Sequence, residues 1–84
     1  MASVTVRYRA HLMELTGKES EVLEVNTVRD ILSHLETSCG TAAKKFAKTM
    51  LIAIDGESIN FSDGYATILK DGETVQFFPN CGGG

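Results

Sequence analysis

The chain has 84 residues, 43% of them apolar, and a net charge of −3. This is one small domain with enough apolar content to fold, and it lacks the basic stripe of a nucleic-acid-binding surface. No stretch approaches the roughly 20 apolar residues of a membrane helix, and no positively charged start precedes an apolar run, so neither an anchor nor an export leader is expected. The two cysteines, Cys39 and Cys81, are not in C-x-x-C spacing, which points to free thiols in a reducing cytoplasm.

In chain order, "VTVRYRA" alternates with period two, Val4, Val6 and Tyr8 on one side and Thr5, Arg7 and Arg9 on the other, as in a half-buried strand. "HLMELTGK" reads as one helical turn ending at Gly17. "EVLEV" reads as a second strand, antiparallel to the first after a brief reversal. In "NTVRDILSHLETSCG" the period changes, and Val28, Ile31, Leu32 and Leu35 share one helical face. Asn26 or Thr27 is the expected N-cap, Asp30 suits the first turn, and Gly40 stops the helix.

"TAAKKFAKT" predicts a shorter helix with Ala43, Phe46 and Ala47 turned inward and Lys44, Lys45 and Lys48 on a solvated face. "MLIAI" reads as a buried strand. A turn at Asp55 and Gly56 leads to a short strand, "ESINF", and a second turn at Asp71 and Gly72 leads to the last strand, "ETVQFF". Pro79 ends that strand because it has no backbone N–H to donate. A long helix on a mixed sheet of four to five strands is an α+β domain. The last strand is expected inside the sheet beside the first, with a domain over 1–79 and a flexible glycine-rich tail over 80–84.

The body offers little self-contained chemistry. His11 and His34 have no metal-ligand company or orienting partner for catalysis. The acidic residues form no evident acid–base pair. "DGESINFSDG" lacks EF-hand spacing and reads as turns. Cys39 at the helix end reads as inert, and Cys81 has no neighbouring base to lower its pKa. No metal site and no bound cofactor are expected.

The remaining feature is "FFPNCGGG". Glycines Gly82, Gly83 and Gly84 let a backbone pass through a channel too narrow for a β-carbon. Five extended residues reach at most about 17 Å, enough to carry a carboxylate into another protein's active site. If Val75 and Phe77 face the helix, Phe78 lies on the opposite sheet face beside the tail, as a partner anchor.

The strand–strand–helix start, "LKDGETVQFFP" and a Gly-Gly end together resemble the ubiquitin-like (β-grasp) sulfur carriers, the family of the molybdopterin synthase small subunit and the thiamine-biosynthesis carrier. The likeness covers essentially the whole chain, and the Phe-Phe-Pro signature favours the molybdopterin branch. "INFSDGYATILKDGETV" also resembles carriers that donate sulfur for cysteine synthesis.

The resemblance implies a β-grasp fold with one main helix. It implies an adenylating (E1-like) partner that uses ATP on Gly84, and a sulfur donor protein or sulfide that converts the adenylate to a thiocarboxylate. The receiver would be a molybdopterin synthase large subunit, in a heterotetramer, that builds the dithiolene of the molybdenum or tungsten cofactor. On this reading the small subunit donates sulfur, and the catalytic side chains belong to the partner. Gly83 keeps the approach clear, and Phe78, Pro79 and Gly82 belong to the partner-binding segment. Gly82 departs from relatives that often carry a side chain there, which adds freedom to the tail. A carrier for cysteine, thiamine or tRNA thiolation, or a modifier conjugated through Gly84, shares the same activated end.

Overall fold

The period-two pattern at the N-terminus becomes strand β1 (Ala2–Arg7), which buries Ala2, Val4 and Val6 and continues inward at Tyr8. Strand β2 (Ser20–Val25) pairs with it antiparallel, from Ala2 opposite Val25 to Arg7 opposite Ser20. The computed structural model describes residues 1–58 and 64–79. The connection between β1 and β2 is a seven-residue helix, α1 (Ala10–Thr16), longer than the single turn expected. It starts at Ala10, whose φ of 55° is unusual for a residue with a β-carbon, and ends at Gly17 with φ 77°. Only Leu12 of this helix is buried, so the segment carries too weak an apolar period for its length to be read from sequence.

Helix α2 (Val28–Cys39) buries the four residues that its period selects, Val28, Ile31, Leu32 and Leu35. Thr27 is the N-cap. Its Oγ1 accepts from the Asp30 amide at 3.4 Å, and the Asp30 carboxylate accepts from the Thr27 and Asn26 amides at 3.1 and 2.9 Å. This reciprocal arrangement satisfies donors that the first helical turn otherwise leaves unpaired. Gly40, at φ 97°, separates α2 from the short helix α3 (Thr41–Ala47). Ala43 and Ala47 of α3 are fully buried, while Phe46 is half-buried with its ring edge-on to His11 at 5.1 Å.

Strand β3 (Leu51–Ile54) and the two-residue β4 (Glu57–Ser58) form a hairpin through Asp55 and Gly56. Both turn residues have positive φ, 51° and 87°, as a type I′ connection requires. The strand expected over "ESINF" is present at Glu57–Ser58, and residues 59–61 lie outside the described residues. After a 3-10 turn at Gly64–Ala66, Leu69 is buried and the last strand, β5 (Thr74–Phe78), follows.

The sheet order is β2-β1-β5-β3-β4. β5 lies inside it, parallel to β1 and antiparallel to β3, where the sequence places it. Its entry is fixed twice. The Thr5 amide donates to the Glu73 carbonyl at 3.0 Å, and the Asp55 carboxylate accepts from the Thr74 amide at 2.9 Å.

All three helices contribute to one core with the inward side chains of β1, β3 and β5. Phe77 lies fully buried at its centre, 6.2 Å from the Tyr8 ring. The architecture is the expected mixed sheet with α2 as its longest helix, plus two short helices, α1 and α3. "MLIAI" is less uniformly buried than its composition suggests. Leu51 is 39% exposed because strand alternation turns it to the sheet face away from the core.

Candidate functional site

Alternation along β5 separates two neighbouring aromatics. Val75 and Phe77 are buried, whereas Thr74, Gln76 and Phe78 take the other face and are half-buried. The register extends this second face across the sheet. Gln76 is level with Arg7 of β1, and Phe78 is opposite Leu51 of β3. Ser3, Thr5, Val22 and Glu24 complete it on the β1–β2 side, with Val22 65% exposed.

Because β1 and β5 run parallel, the residues after both strands lie at one end of this face. There the Arg9 guanidinium stands over the Phe78 ring, 5.0 Å from its centroid. Such a contact stabilises by about 0.5–1 kcal/mol at an exposed site. Phe78 is therefore on the face that its alternation predicts, but half-covered by Arg9 rather than bare. Pro79 is exposed beyond it. Gly82, Gly83, Gly84 and Cys81 lie outside the described residues.

Arg9 and Leu51 are the neighbours that sequence reasoning did not assign to Phe78. Arg9 had a signal, since the alternation of "VTVRYRA" places it with Thr5 and Arg7. What was missing was the parallel pairing that brings β1 beside β5. A shallow recess lined by Arg7, Tyr8, Arg9, Ala10, Met13 and Glu19 adjoins this corner.

A second polar cluster sits on the opposite flank of β1. The Tyr8 hydroxyl donates to Oε2 of Glu21, whose Oε1 accepts from Lys18 Nζ at 3.1 Å. His34 Nε2 lies 3.3 Å from the same carboxylate and 3.4 Å from Ser38 Oγ. Burial pushes the Tyr8 phenol well above its ordinary range, and the hydrogen bond to Glu21 adds to the effect. Burial alone would raise the Glu21 carboxyl, but the bonds from Tyr8 and Lys18 outweigh it and hold the group below the usual carboxylate range.

The cluster ties β1, β2 and α2 together. It fits a structural role for His34, which is half-buried on α2 against Glu21. His11 is exposed and pairs with Glu14 on its own helix at 2.9 Å. Cys39 is half-buried at the end of α2. Among the described residues, no group of three or more His, Cys, Asp or Glu side chains is arranged to hold a metal ion, and no helix is long and apolar enough to cross a membrane.

Residues 6–84 match the ThiS family model. The chain belongs to the ThiS family. Its fold is that of the ubiquitin-like sulfur carriers and modifiers. The small archaeal modifier protein 1 (SAMP1) of Methanosarcina acetivorans superposes with a TM-score of 0.83 at 28% identity, over 100% of this chain and 98% of that one. A candidate molybdopterin converting factor, subunit 1, from Pyrococcus furiosus gives a TM-score of 0.73 at 25% identity, over 94% of this ThiS-family chain and 98% of its own. The Amycolatopsis orientalis BexX/CysO complex contains a chain similar over 96% of this one and 99% of its own, with a TM-score of 0.79 at 26% identity. No curated protein matches the chain.

Proposed function

We propose that this ThiS-family protein is a sulfur carrier, and that it serves as the small subunit of a molybdopterin synthase. The observation that carries the reading is the placement of the Phe-Phe-Pro segment. β5 is held inside the sheet, Phe77 locks it to the core, and Phe78 and Pro79 stand on accessible surface immediately before 80–84.

The Gly84 carboxylate is a poor acyl donor by itself. An adenylating partner joins it to the AMP moiety of ATP with release of pyrophosphate. Sulfide then displaces AMP to leave a thiocarboxylate, or a persulfide displaces AMP to give an acyl disulfide, which a thiol of the sulfur donor cleaves to the thiocarboxylate with formation of a disulfide on the donor. Gly82 and Gly83 let that end thread into the active site of a large synthase subunit, where the sulfur passes to a pterin precursor. Phe78 anchors the docked body outside. The similar Amycolatopsis chain was solved in a complex with BexX, in keeping with a protein partner for this chain.

A second reading draws on the same comparisons. The likeness to SAMP1 and to CysO favours a protein modifier or a carrier serving another acceptor. Reconstitution separates the branches. The charged protein, offered to a molybdopterin synthase large subunit with the pterin precursor, is expected to yield the dithiolene. Sulfur retained on the carrier in that assay, or lysine conjugates formed with ATP and the adenylating enzyme, would move the assignment to the second reading.

A further inference from the structure

We propose that the free edge of β2, with the groove between it and α2, is a docking site for an extended segment of a partner protein that adds to the five-stranded sheet as a further strand and carries basic side chains. The site lies two strands away from β5 and stands whether or not the chain carries sulfur.

The two edges of the sheet are unlike. β4 is two residues long and can pair little of another strand, whereas β2 runs over six residues. The register shows which groups the long edge offers. The Thr5 amide and the Ser3 carbonyl are bonded on the β5 side, to Glu73 and Gly72. Their partners across the β1–β2 ladder, Val22 and Glu24, therefore turn their own N–H and C=O groups away from β1 and out of the sheet. Ser20 follows by the same alternation. Among the described residues, no backbone bond outside the strand pairing takes up these groups. Beyond Val25 the edge is closed, because the Asn26 amide donates to Asp30 and the Asn26 carbonyl accepts from the Leu69 amide.

The groove supplies the side-chain chemistry. Leu23 and Val25 lie on its β2 side, Ser33, His34 and Thr37 on its α2 side, and Met1, 86% exposed, also lines it. A strand laid on this edge turns alternate side chains toward α2, over Leu23 and Val25, and the others to the open face beside Val22 and Glu24. The first set suits apolar residues and the second suits cations. The edge carries Glu19, Glu21 and Glu24 against one lysine, Lys18, which Glu21 already holds. Glu24 and Asp30 line the groove, and no Lys or Arg does. Arg29, the other cation of this flank, acts on the Asp30 carboxylate. The same charges disfavour a second copy of the chain, which would bring three carboxylates from each strand onto one seam. They favour a basic partner strand instead.

The test is NMR shift mapping and amide hydrogen exchange on the full chain. It is titrated with a short acetylated peptide in which valine alternates with lysine, and separately with one in which valine alternates with glutamate. The lysine peptide is expected to shift residues 20–25 and 33–37 and to slow exchange of the Val22 and Glu24 amides about tenfold at saturation. The glutamate peptide should bind at least about tenfold more weakly. Val22→Pro removes an N–H that the β1 ladder does not use, so thermal melts should show it folded while peptide binding is lost. Glu24→Lys keeps the backbone groups and should shift the preference toward the glutamate peptide; if Val22→Pro fails to fold, this variant decides alone. Exchange at Val22 and Glu24 unmoved by the lysine peptide, equal binding of the two peptides, or binding retained by folded Val22→Pro overturns the proposal. So does a wild-type dimer in sedimentation that Val22→Pro dissociates, which would give the edge to a second copy.

Discussion

Phe77 and Phe78 are adjacent in sequence and identical in chemistry, yet the sheet gives them opposite tasks. Phe77 has no exposed surface and packs beside Tyr8, so truncation to Ala removes a ring from the centre of the core. The expected cost is about 3–5 kcal/mol, read as a lower midpoint in denaturant unfolding. Phe78→Ala removes a half-buried ring over which Arg9 stands, and about 1 kcal/mol is expected. Its larger effect should be a weaker affinity for the adenylating enzyme, measured by calorimetry on the purified pair. If Phe78→Ala destabilised the fold as much as Phe77→Ala and left the affinity intact, the assignment of the two faces would be wrong. The split was legible in "TVQFF" from alternation alone. The guanidinium over Phe78 was not, because it depends on the pairing of the first and last strands.

At the scale of elements, α2 is tied to β2 and to the residues before its first turn by polar contacts with a distinct pH signature. Glu21 and Asp30 both titrate below the ordinary carboxylate range. For Glu21, opposing burial is outweighed by the bonds from Tyr8 and Lys18; for Asp30, the leading cause is the amide of Asn26, followed by that of Thr27. A carboxylate with a depressed folded pKa contributes stability that is fully present above its unfolded pKa and is lost as pH falls through the folded one. Thermal stability should therefore be flat near neutrality and decline below about pH 4–5.

The raised Tyr8 phenol works in the opposite sense, stabilising until the pH rises past the ordinary phenol range near about pH 10. Replacing Glu21 with Gln should flatten part of the acid decline in thermal melts, and an unchanged acid profile would remove this carboxylate from the account. Thr27→Ala should cost about 1 kcal/mol through the lost cap. The cap, the period of α2 and its stop at Gly40 could all be read from local chemistry. The Tyr8–Glu21–His34 contacts could not, since they join three elements whose packing no short window contains. The true length of α1 was hidden for a related reason, as its one buried residue leaves no period to detect.

For the whole molecule, the decisive arrangement is an interior strand that ends at the last of the described residues. β5 is bonded on both sides, its entry is pinned at Thr5 and Asp55, and its exit presents Phe78 and Pro79. A body anchored in this way can lose its last residues without unfolding. Deleting Gly83 and Gly84 is accordingly expected to leave the melting temperature within about 2 °C of wild type while abolishing sulfur loading. A large fall in melting temperature would assign those residues to the fold. The composition argues against several functions, and the Phe-Phe-Pro segment with its glycine-rich end suggests one.

The central claim is that Gly84 becomes a thiocarboxylate, and intact-protein mass spectrometry tests it most directly. The purified protein is incubated with its adenylating enzyme, ATP and a sulfide or persulfide source, and its mass is compared before and after. A gain equal to the exchange of one oxygen for sulfur, located at Gly84 by fragmentation and lost when ATP is omitted, is the predicted result. An unchanged mass under conditions where the enzyme charges an authentic carrier would contradict the account.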